Sequence, residues 1–211
     1  AEAVKWRLPG EIPVAARELE VLPAHPEKVT CDLIFSALDS GAAAEAEQDF
    51  RRAGAAVVTN AGAHRMDPQV PLVVPEINGD HLRLVGAQRR RWGGAIAANP
   101  NCSTIGLCLA IDPLRRAFGL AEVSVTTLQA LSGAGHPGVA SLDALDNVVP
   151  FIAGEEEKLE SEPLKIFGTL EGGAVAPLPL SLSAQCTRVP VRDGHLLCVS
   201  VKTRRRAGVE E

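Results

Sequence analysis

The chain has 211 residues, of which 46% are apolar and only 3% aromatic, with no tyrosine. A chain of this length buries one or two hydrophobic cores without disulfides or metal ions, and here Ala, Val, Leu and Ile must fill them. The formal net charge of −5 argues against nucleic acid as the main partner, because a phosphate backbone requires a basic surface.

The cysteines argue against a disulfide framework and against a zinc site, so no metal is predicted. Their number is odd and no two follow the C-x-x-C spacing. No segment has the pattern of a signal peptide, and no uncharged stretch has the character of a membrane span. We therefore expect a soluble cytoplasmic protein without a membrane partner. The five cysteines are Cys31, Cys102, Cys108, Cys186 and Cys198.

The first half of the chain alternates strand and helix patterns. Short apolar runs predict strands, and a segment of helical composition ends at Gly54. Pro71 and Pro75 predict that a further apolar run is extended. Strands that alternate with helices pair in parallel, which predicts an α/β sheet covered on both faces. The predicted strands are 31–38, 56–59 and 95–98, the helix is 42–53, and the extended run is 70–77.

The pattern changes near residue 99, which we take as the boundary between two domains, 1–98 and 99–211. Two helical patterns contain a proline: Pro113 predicts a kink or an early end of the first helix, and Pro163 predicts a break or a restart within the second. The last two strand patterns flank a short turn, so we expect them to be antiparallel neighbours in an α+β domain. The predicted elements of this part are helices 103–118 and 155–167 and strands 123–131, 182–191 and 196–202.

Residues 99–104, with the sequence NPNCST, combine a strand end, a proline and a helix start. The unpaired N–H groups and the positive dipole end of that helix stabilise a thiolate at Cys102. A buried structural cysteine is the commoner fate of this residue type, and Cys108 on an apolar helix face fits that description. For Cys102 we favour a nucleophile.

A thiolate nucleophile needs an acid/base partner, and His195 is the candidate. It follows Gly194 and opens a strand, although a surface histidine on a hairpin fits the sequence about equally well. Arg188 lies on the preceding strand, and its guanidinium suits a bidentate contact with a carboxylate. Taken alone, Arg188 is better interpreted as a solvated strand residue.

Two further patterns have a structural explanation as well as a functional one. Glu162 and Lys165 stand at i, i+3 on one helix face, where they form a salt bridge or line a site together. Spacing alone favours the salt bridge. The glycine-rich run at 132–138, which opens with Ser132 and Gly133, offers backbone N–H groups to an anion or forms an ordinary loop.

Several stretches stand in the order and spacing of one known family. They are FSAL at 35–38, TNAGAHRM at 59–66, PLVVPEIN at 71–78, NPNCST at 99–104, LQALSGAG at 128–135, DNVVPFI at 146–152, EEEKLESEPLKI at 155–166 and TRVPVRDGH at 187–195. Together they resemble aspartate-semialdehyde dehydrogenase, in its archaeal and fungal branch. The resemblance implies part of a Rossmann-type NADP-binding domain, then an α+β catalytic and dimerisation domain of the glyceraldehyde-3-phosphate-dehydrogenase type.

The resemblance also implies a reaction. NADP-dependent reductive dephosphorylation of L-aspartyl 4-phosphate gives L-aspartate 4-semialdehyde through a thioester, a step in the biosynthesis of lysine, threonine, methionine and isoleucine. Cys102 matches the nucleophile, and His195 matches the acid/base that shuttles the proton of the thiol and of the hemithioacetal. Gln129 matches the residue that orients the intermediate. Asn101, beside the nucleophile, is expected to assist it.

Binding residues follow from the same resemblance. Arg188 matches the clamp on the substrate carboxylate, and Glu162 matches the partner of the substrate ammonium. Lys165 and Arg65 match the phosphate site. For Lys165, the resemblance therefore favours a role in phosphate binding over the simple salt bridge with Glu162 that spacing favours. A homodimer or homotetramer is implied. The positions assigned to the cofactor are Ser36, Ala37, Leu38, Asn60, Ser132 and Gly133.

Several departures from the family pattern limit these expectations, and one of them is Gly62, where the branch often has serine. His136 stands where the branch usually has tyrosine. The opening strand and glycine-rich turn that cradle the cofactor pyrophosphate are missing from these residues, as is the C-terminal segment, so we expect no hydride transfer from this chain alone. Three alternatives stay open: a malonyl-CoA reductase, a cofactor-independent Cys–His hydrolase and a non-catalytic fragment.

Overall fold

The structure, a computed structural model, describes residues 10–135, 137–206 and 208; His136 therefore lies outside the described residues. Its first half contains helices α1 (Val14–Arg17), α2 (Ser40–Arg52), α3 (Pro75–Asn78) and α4 (Arg83–Trp92), a 3-10 turn (Gly79–Leu82), and strands β1 (Leu33–Ser36), β2 (Ala56–Thr59) and β3 (Ala95–Ala98). The three strands form a parallel sheet in the order β1-β2-β3. This arrangement confirms the predicted α/β fold class.

Neighbouring segments close the outer edge of β3. Gln88 of α4 donates from Nε2 to the Ile96 carbonyl oxygen over 2.8 Å and receives the Ile96 N–H at Oε1 over 3.0 Å. Leu72 forms a parallel bridge with Ala98. Because β3 is held to its last residue, the chain leaves the sheet at its carboxyl edge, directly before Asn99.

The apolar run at 70–77 is extended only in its first part. Helix α3 begins at Pro75, so the expectation of an extended run is wrong from there onward. Proline is tolerated at the first position of a helix, since the N–H that it lacks has no intrahelical partner there.

The second half contains helices α5 (Cys102–Phe118), α6 (Ser141–Ala144) and α7 (Glu155–Ile166), a 3-10 turn (Leu131–Ala134), and strands β4 (Leu120–Gln129), β5 (Thr169–Glu171), β6 (Ala174–Ala176), β7 (Ser181–Arg188) and β8 (Leu196–Thr203). Strands β5 and β6 form a small antiparallel pair, and the other three form a sheet in the order β7-β4-β8. In the residues that the structure describes, no helix is long and apolar enough to cross a membrane.

The expectation that the last two strands are antiparallel neighbours is wrong. Strand β4 lies between them, parallel to β7 and antiparallel to β8. The buried β4 needs hydrogen-bond partners along both of its edges, and β7 and β8 supply one edge each. This order brings Gln129 directly opposite Arg188.

Helix α7 closes the other edge of β7 with carboxylates. The main-chain N–H of Ala184 donates to Glu160 Oε1, and that of Cys186 donates to Glu156 Oε1, each over 3.0 Å. Main-chain groups that would otherwise stand open at a sheet edge are thus paired by side chains.

Helices α5 and α7 run without interruption through Pro113 and Pro163, so the predicted break at Pro163 and early end at Pro113 are wrong. Both helices pack into one hydrophobic core, where Leu107, Leu159 and Ile166 are at most 1% exposed. Tertiary packing stabilises helices more strongly than local propensity does, and here it outweighs the missing N–H of each proline.

Candidate active site

Cys102 lies at the first position of α5 and its side chain is exposed. The helix is capped by Asn101, whose Oδ1 accepts the N–H of Ser103 over 2.9 Å and that of Thr104 over 3.3 Å. Cys108, six residues further along the helix, is buried, and burial together with the nearby carboxylates raises the pKa of its thiol. Of these two thiols, Cys102 is therefore the one that a substrate can reach.

Two glutamates of α7 hold Asn101, the residue before Cys102. The main-chain N–H of Asn101 donates to Glu162 Oε2 over 2.7 Å. The side-chain Nδ2 of Asn101 donates to Glu155 Oε2 over 2.9 Å. Since Asn101 is only 8% exposed, these contacts fix both its backbone and its amide.

Gln129 links the start of α5 to the second sheet. It is buried at the end of β4, and its Nε2 lies 3.4 Å from Glu155 Oε2 and 3.3 Å from Thr127 Oγ1. On its other side, Arg188 Nη1 lies 3.5 Å from Gln129 Oε1. The amide therefore stands between a carboxylate and a guanidinium.

Arg188 and His195 meet around the turn that follows β4. Arg188 Nη1 donates to the Ala130 carbonyl oxygen over 2.8 Å, and the Ala130 N–H donates to His195 Nδ1 over 3.1 Å. Arg188 is 6% exposed, so its interpretation as a solvated strand residue is wrong. Because His195 Nδ1 accepts a hydrogen bond, the proton of the neutral ring is assigned to Nε2.

Gly133 leaves the space that these two side chains occupy. A Cβ at this position would lie 2.7 Å from His195 Cε1, 2.8 Å from His195 Nε2 and 3.0 Å from Arg188 Nη1. Contacts below 3.0 Å require an atom to move, so the ring of His195 in its present place requires glycine here. Glycine at this position therefore has a steric explanation, and the offer of backbone N–H groups to an anion stays a prediction.

The two cations expected at the phosphate site are both engaged with protein atoms. Arg65 Nη1 pairs with Glu162 Oε1 over 2.9 Å, and Arg65 Nη2 donates to the Asn60 carbonyl oxygen over 2.7 Å. Lys165 Nζ donates to the carbonyl oxygens of Arg65 and Asp67. Glu162 thus pairs with Arg65, and the simple Glu162–Lys165 salt bridge that spacing favours is not the contact formed.

Burial lowers the pKa of Lys165 to about 8, and the negative charges of Asp67 and Glu162 offset only part of that effect. The amine therefore loses its proton closer to neutral pH than an exposed lysine does.

The residues assigned to the cofactor fall into two groups. Ser36, Ala37 and Leu38 lie at or just beyond the carboxyl end of β1, and the Asn60 N–H donates to the Ser36 carbonyl oxygen over 2.9 Å. This edge of a parallel sheet is where nucleotides bind in such folds. Ser36 Oγ is buried and has no hydrogen-bond partner within the described residues, which fits a polar group of a ligand.

Ser132 and Gly133 form the second group, in the 3-10 turn after β4. Both are exposed. The nearest atoms around Gly133 belong to His195 and Arg188, so this turn is directly attached to the candidate catalytic residues.

Glu155 is a site residue that sequence reasoning missed. Its Oε2 receives the amides of Asn101 and Gln129, and its Oε1 lies 2.6 Å from Lys158 Nζ. Burial alone would raise the pKa of the Glu155 carboxyl, but Lys158 and the two amides outweigh it and leave the pKa below its ordinary value. One signal was available: Glu155 lies seven positions before Glu162, on the same helix face.

Comparisons with known proteins identify the relatives of this chain. The family profile described as "Semialdehyde dehydrogenase, NAD binding domain" matches residues 3–85, and that described as "Semialdehyde dehydrogenase, dimerisation domain" matches residues 111–211. The chain is 48% identical to the aspartate-semialdehyde dehydrogenase of Archaeoglobus fulgidus, over 100% of this chain and 62% of that protein. It is 48% identical to that of Cryptococcus neoformans, over 96% and 59% respectively.

A solved structure shares the fold. The crystal structure of aspartate semialdehyde dehydrogenase with NADP from Candida albicans matches with a TM-score of 0.86 and 38% identity, over 97% of this chain and 60% of that chain. The chain thus spans about 60% of the length of the curated relatives it matches. The two matching profiles and these relatives together show that the chain belongs to the semialdehyde dehydrogenase family.

Proposed function

We propose that this protein acts as an NADP-dependent aspartate-semialdehyde dehydrogenase, which reduces L-aspartyl 4-phosphate to the semialdehyde. The observation that carries the proposal is the exposed Cys102 at a capped helix N-terminus. Hydrogen bonds through Asn101, Glu155 and Gln129 link that helix to Arg188. A Cys–His hydrolase would have no use for the two cations Arg65 and Lys165, which meet where Lys165 Nζ donates to the Arg65 carbonyl oxygen.

The first step is acyl transfer to the nucleophile. The Cys102 thiolate, stabilised by the N-terminus of α5, attacks the acyl carbon of aspartyl phosphate. A C–S bond forms, the C–O bond to phosphorus breaks, and inorganic phosphate leaves. Arg65 and Lys165 offer positive charge to the phosphate, while Arg188 and Glu162 suit the carboxylate and the ammonium of the aspartyl group.

The second step is reduction of the thioester. When bound, the nicotinamide cofactor supplies the hydride that reduces the thioester carbon. His195 donates a hydrogen bond from Nε2–H to the oxyanion that develops and keeps its proton, while Gln129 and Asn101 hold the surroundings of that oxygen fixed. The C–S bond then breaks, which releases the aldehyde and restores the Cys102 thiolate. His195 can donate this hydrogen bond because its Nδ1 accepts the Ala130 N–H, which leaves the ring proton on Nε2. The ring therefore does not have to take a proton from the Cys102 thiol first.

The cofactor is assigned to the carboxyl edge of the first sheet. Its support is the unpartnered hydroxyl of Ser36, with Ala37, Leu38 and Asn60 beside it, and Ser132 and Gly133 on the side of His195. We retain 1–98 as the NADP-binding part and 99–211 as the catalytic and dimerisation part.

A homodimer or homotetramer in the cytoplasm completes the proposal. It is supported by the profile described as a dimerisation domain and by an uncovered face of the sheet β7-β4-β8, which is lined by Ser124, Thr126, Ser183, Gln185, Cys198 and Ser200. Unpaired cysteines suit a reducing compartment.

Acylation of Cys102 tests the function without the cofactor. The chain is incubated with L-aspartyl 4-phosphate, and peptide mass spectrometry then locates a hydroxylamine-sensitive acyl group. We expect it on Cys102, with none in Cys102→Ser and an unchanged yield in Cys198→Ser, which removes an exposed control thiol. Equal labelling of Cys102 and Cys198, or a faster reaction with malonyl-CoA, would overturn the assignment.

A further inference from the structure

We infer that the cavity between α4 and the turn that joins β5 to β6 binds a small organic carboxylate, with Arg91 at the charged end and apolar side chains at the other. The cavity has a volume of about 220 Å³, the space of roughly seven molecules of liquid water. It lies toward the amino edge of the first sheet, since Trp92 precedes β3, whereas Cys102 follows the carboxyl end of that strand. Binding here does not depend on the proposed reaction at Cys102.

Arg51, at the end of α2, is a buried cation without a carboxylate partner. It is 6% exposed, and within the described residues its guanidinium donates one hydrogen bond, from Nη2 to Gln48 Oε1 over 3.1 Å. Its Nε is buried and has no hydrogen-bond partner among those residues. Charged side chains are rarely buried unless they are paired, because burial removes their hydration. The positive charge at this place is therefore only partly offset by the protein.

Trp92 brings the buried cation next to the cavity. The Cζ atoms of Arg51 and Arg91 lie over its ring, 4.0 Å and 4.6 Å from the ring centroid. Burial lowers the pKa of Arg51, and the negative charge of Asp67 opposes this effect. The like charges of Arg52 and Arg91 lower that pKa further. An anion beside Arg91 would relieve the repulsion between these cations.

Helix dipoles explain only part of this group of cations. Basic side chains are favourable in the last turn of a helix, and they occupy the last turns of both α2 and α4. That effect accounts for Arg89 and Arg90, which are exposed, and for Arg52, which pairs with Asp49 over 2.9 Å. It does not account for the burial of Arg51 beside a second cation.

Arg91 is the cation that a ligand in the cavity can reach. Its side chain is exposed, and its Nη1 has a long contact of 3.4 Å with the neutral amide oxygen of Gln69. A guanidinium offers two parallel N–H groups to a carboxylate, which is a stronger partner than an amide. In the described part of the chain, no carboxylate lines the cavity. The site therefore accepts negative charge without repulsion from its own walls.

The remaining walls favour an organic ligand over an inorganic ion. Leu84 and Ala87 of α4 and the ring of Trp92 supply apolar contact beside the guanidinium. Apolar walls with a few polar groups are the usual composition of a site for a small molecule. A short branched carboxylate satisfies both parts of the cavity, with its charge on Arg91 and its hydrocarbon on α4.

The experiment measures binding of 4-methylpentanoate to the chain by isothermal titration. The neutral amide of the same shape, 4-methylpentanamide, tests the need for charge, and inorganic phosphate tests the need for the apolar end. Arg91→Gln removes the contact, and Arg90→Gln makes the same change of charge at the neighbouring exposed position. Ala87→Leu fills the cavity and leaves all charges in place. Urea unfolding confirms that each variant is folded.

We expect 4-methylpentanoate to bind with a Kd on the order of 1 mM, as suits so small a ligand. Arg91→Gln should weaken binding by about 10- to 100-fold, the usual effect of losing a charge-assisted hydrogen bond. Ala87→Leu and the exchange of acid for amide should each weaken it by about 10-fold or more. Arg90→Gln should leave the Kd within about 2-fold, because salt screens an exposed charge that makes no contact.

Equal binding of the acid and the amide would overturn the inference, as would no binding of the acid to the parent chain. Equal weakening in Arg90→Gln and Arg91→Gln would show a diffuse attraction to the basic surface. Binding that neither Arg91→Gln nor Ala87→Leu weakens would place the ligand elsewhere, for instance at Arg188. Phosphate that binds as tightly as 4-methylpentanoate and depends equally on Arg91 would refute the assigned class of ligand.

Discussion

Glu162 binds the main-chain N–H of Asn101 with one carboxylate oxygen, over 2.7 Å, and the guanidinium of Arg65 with the other, over 2.9 Å. Asn101 and the loop after β2 are therefore tied to α7 through one side chain. Glu162 is 1% exposed, so this ion pair has little screening by water. Removal of either partner leaves a charge that is buried and uncompensated.

Glu162→Ala should lower the free energy of unfolding by about 3–5 kcal/mol, the usual result of breaking a buried ion pair. Urea denaturation with a fluorescence readout from the two tryptophans measures the change. The control is Glu157→Ala at an exposed position of the same helix, with an expected loss below about 1 kcal/mol. Similar losses in both variants would show that the ion pair contributes little.

Asn101→Ala should lower the free energy of unfolding by about 1 kcal/mol, because the N–H groups of Ser103 and Thr104 lose their cap. The same change should slow alkylation of Cys102, since the amide no longer organises the first turn of α5. Asn101→Ser provides the comparison, because serine is also a good cap. If serine and alanine behave alike in both measurements, capping is not what Asn101 contributes.

Local chemistry accounts for the parts of the molecule that the sequence predicts well. The parallel sheet follows from short apolar strands that alternate with helices. Cys102 at the start of a helix follows from Pro100, which cannot continue a strand, and from Asn101, which caps. Both signals act within a few residues of each other, which is the range over which a sequence pattern is informative.

The parts of the molecule that the sequence does not predict depend on pairing between residues far apart in the chain. The order β7-β4-β8 depends on what fills both edges of β4, and no local pattern of the last two strands carries that information. Glu155 contacts Asn101 and Gln129, which lie 54 and 26 residues away along the chain. The sequence alone does not distinguish Glu155 from the other acidic residues in the first turn of the helix.

Phosphate binding should weaken as the pH rises through the pKa of Lys165, which burial lowers to about 8. Below that pH the amine is charged and attracts the dianion; above it the charge is lost, and affinity should fall by up to about tenfold per pH unit. Isothermal titration of inorganic phosphate at pH 7.5 and pH 9 measures the difference. Lys165→Met should abolish the pH dependence, whereas Lys202→Met, which removes an exposed lysine, should preserve it. If phosphate affinity in Lys165→Met fell between pH 7.5 and pH 9 as much as it does in the parent chain, the pH dependence would belong to another group.

Gly133→Ala should impair the reaction at Cys102 with little loss of stability. The new methyl group would stand 2.7 Å from His195 Cε1 and 3.0 Å from Arg188 Nη1, so these side chains must move away from their present positions. Side-chain displacement near 1 Å can cost about 100-fold in rate, and we expect acylation by L-aspartyl 4-phosphate to fall by about that order. Gly106→Ala is the control, since its Cβ meets nothing within 4 Å and alanine favours the helix by about 0.5–1 kcal/mol. Full acylation in Gly133→Ala would mean that the position of Arg188 around this turn is not the one in which it binds the substrate carboxylate.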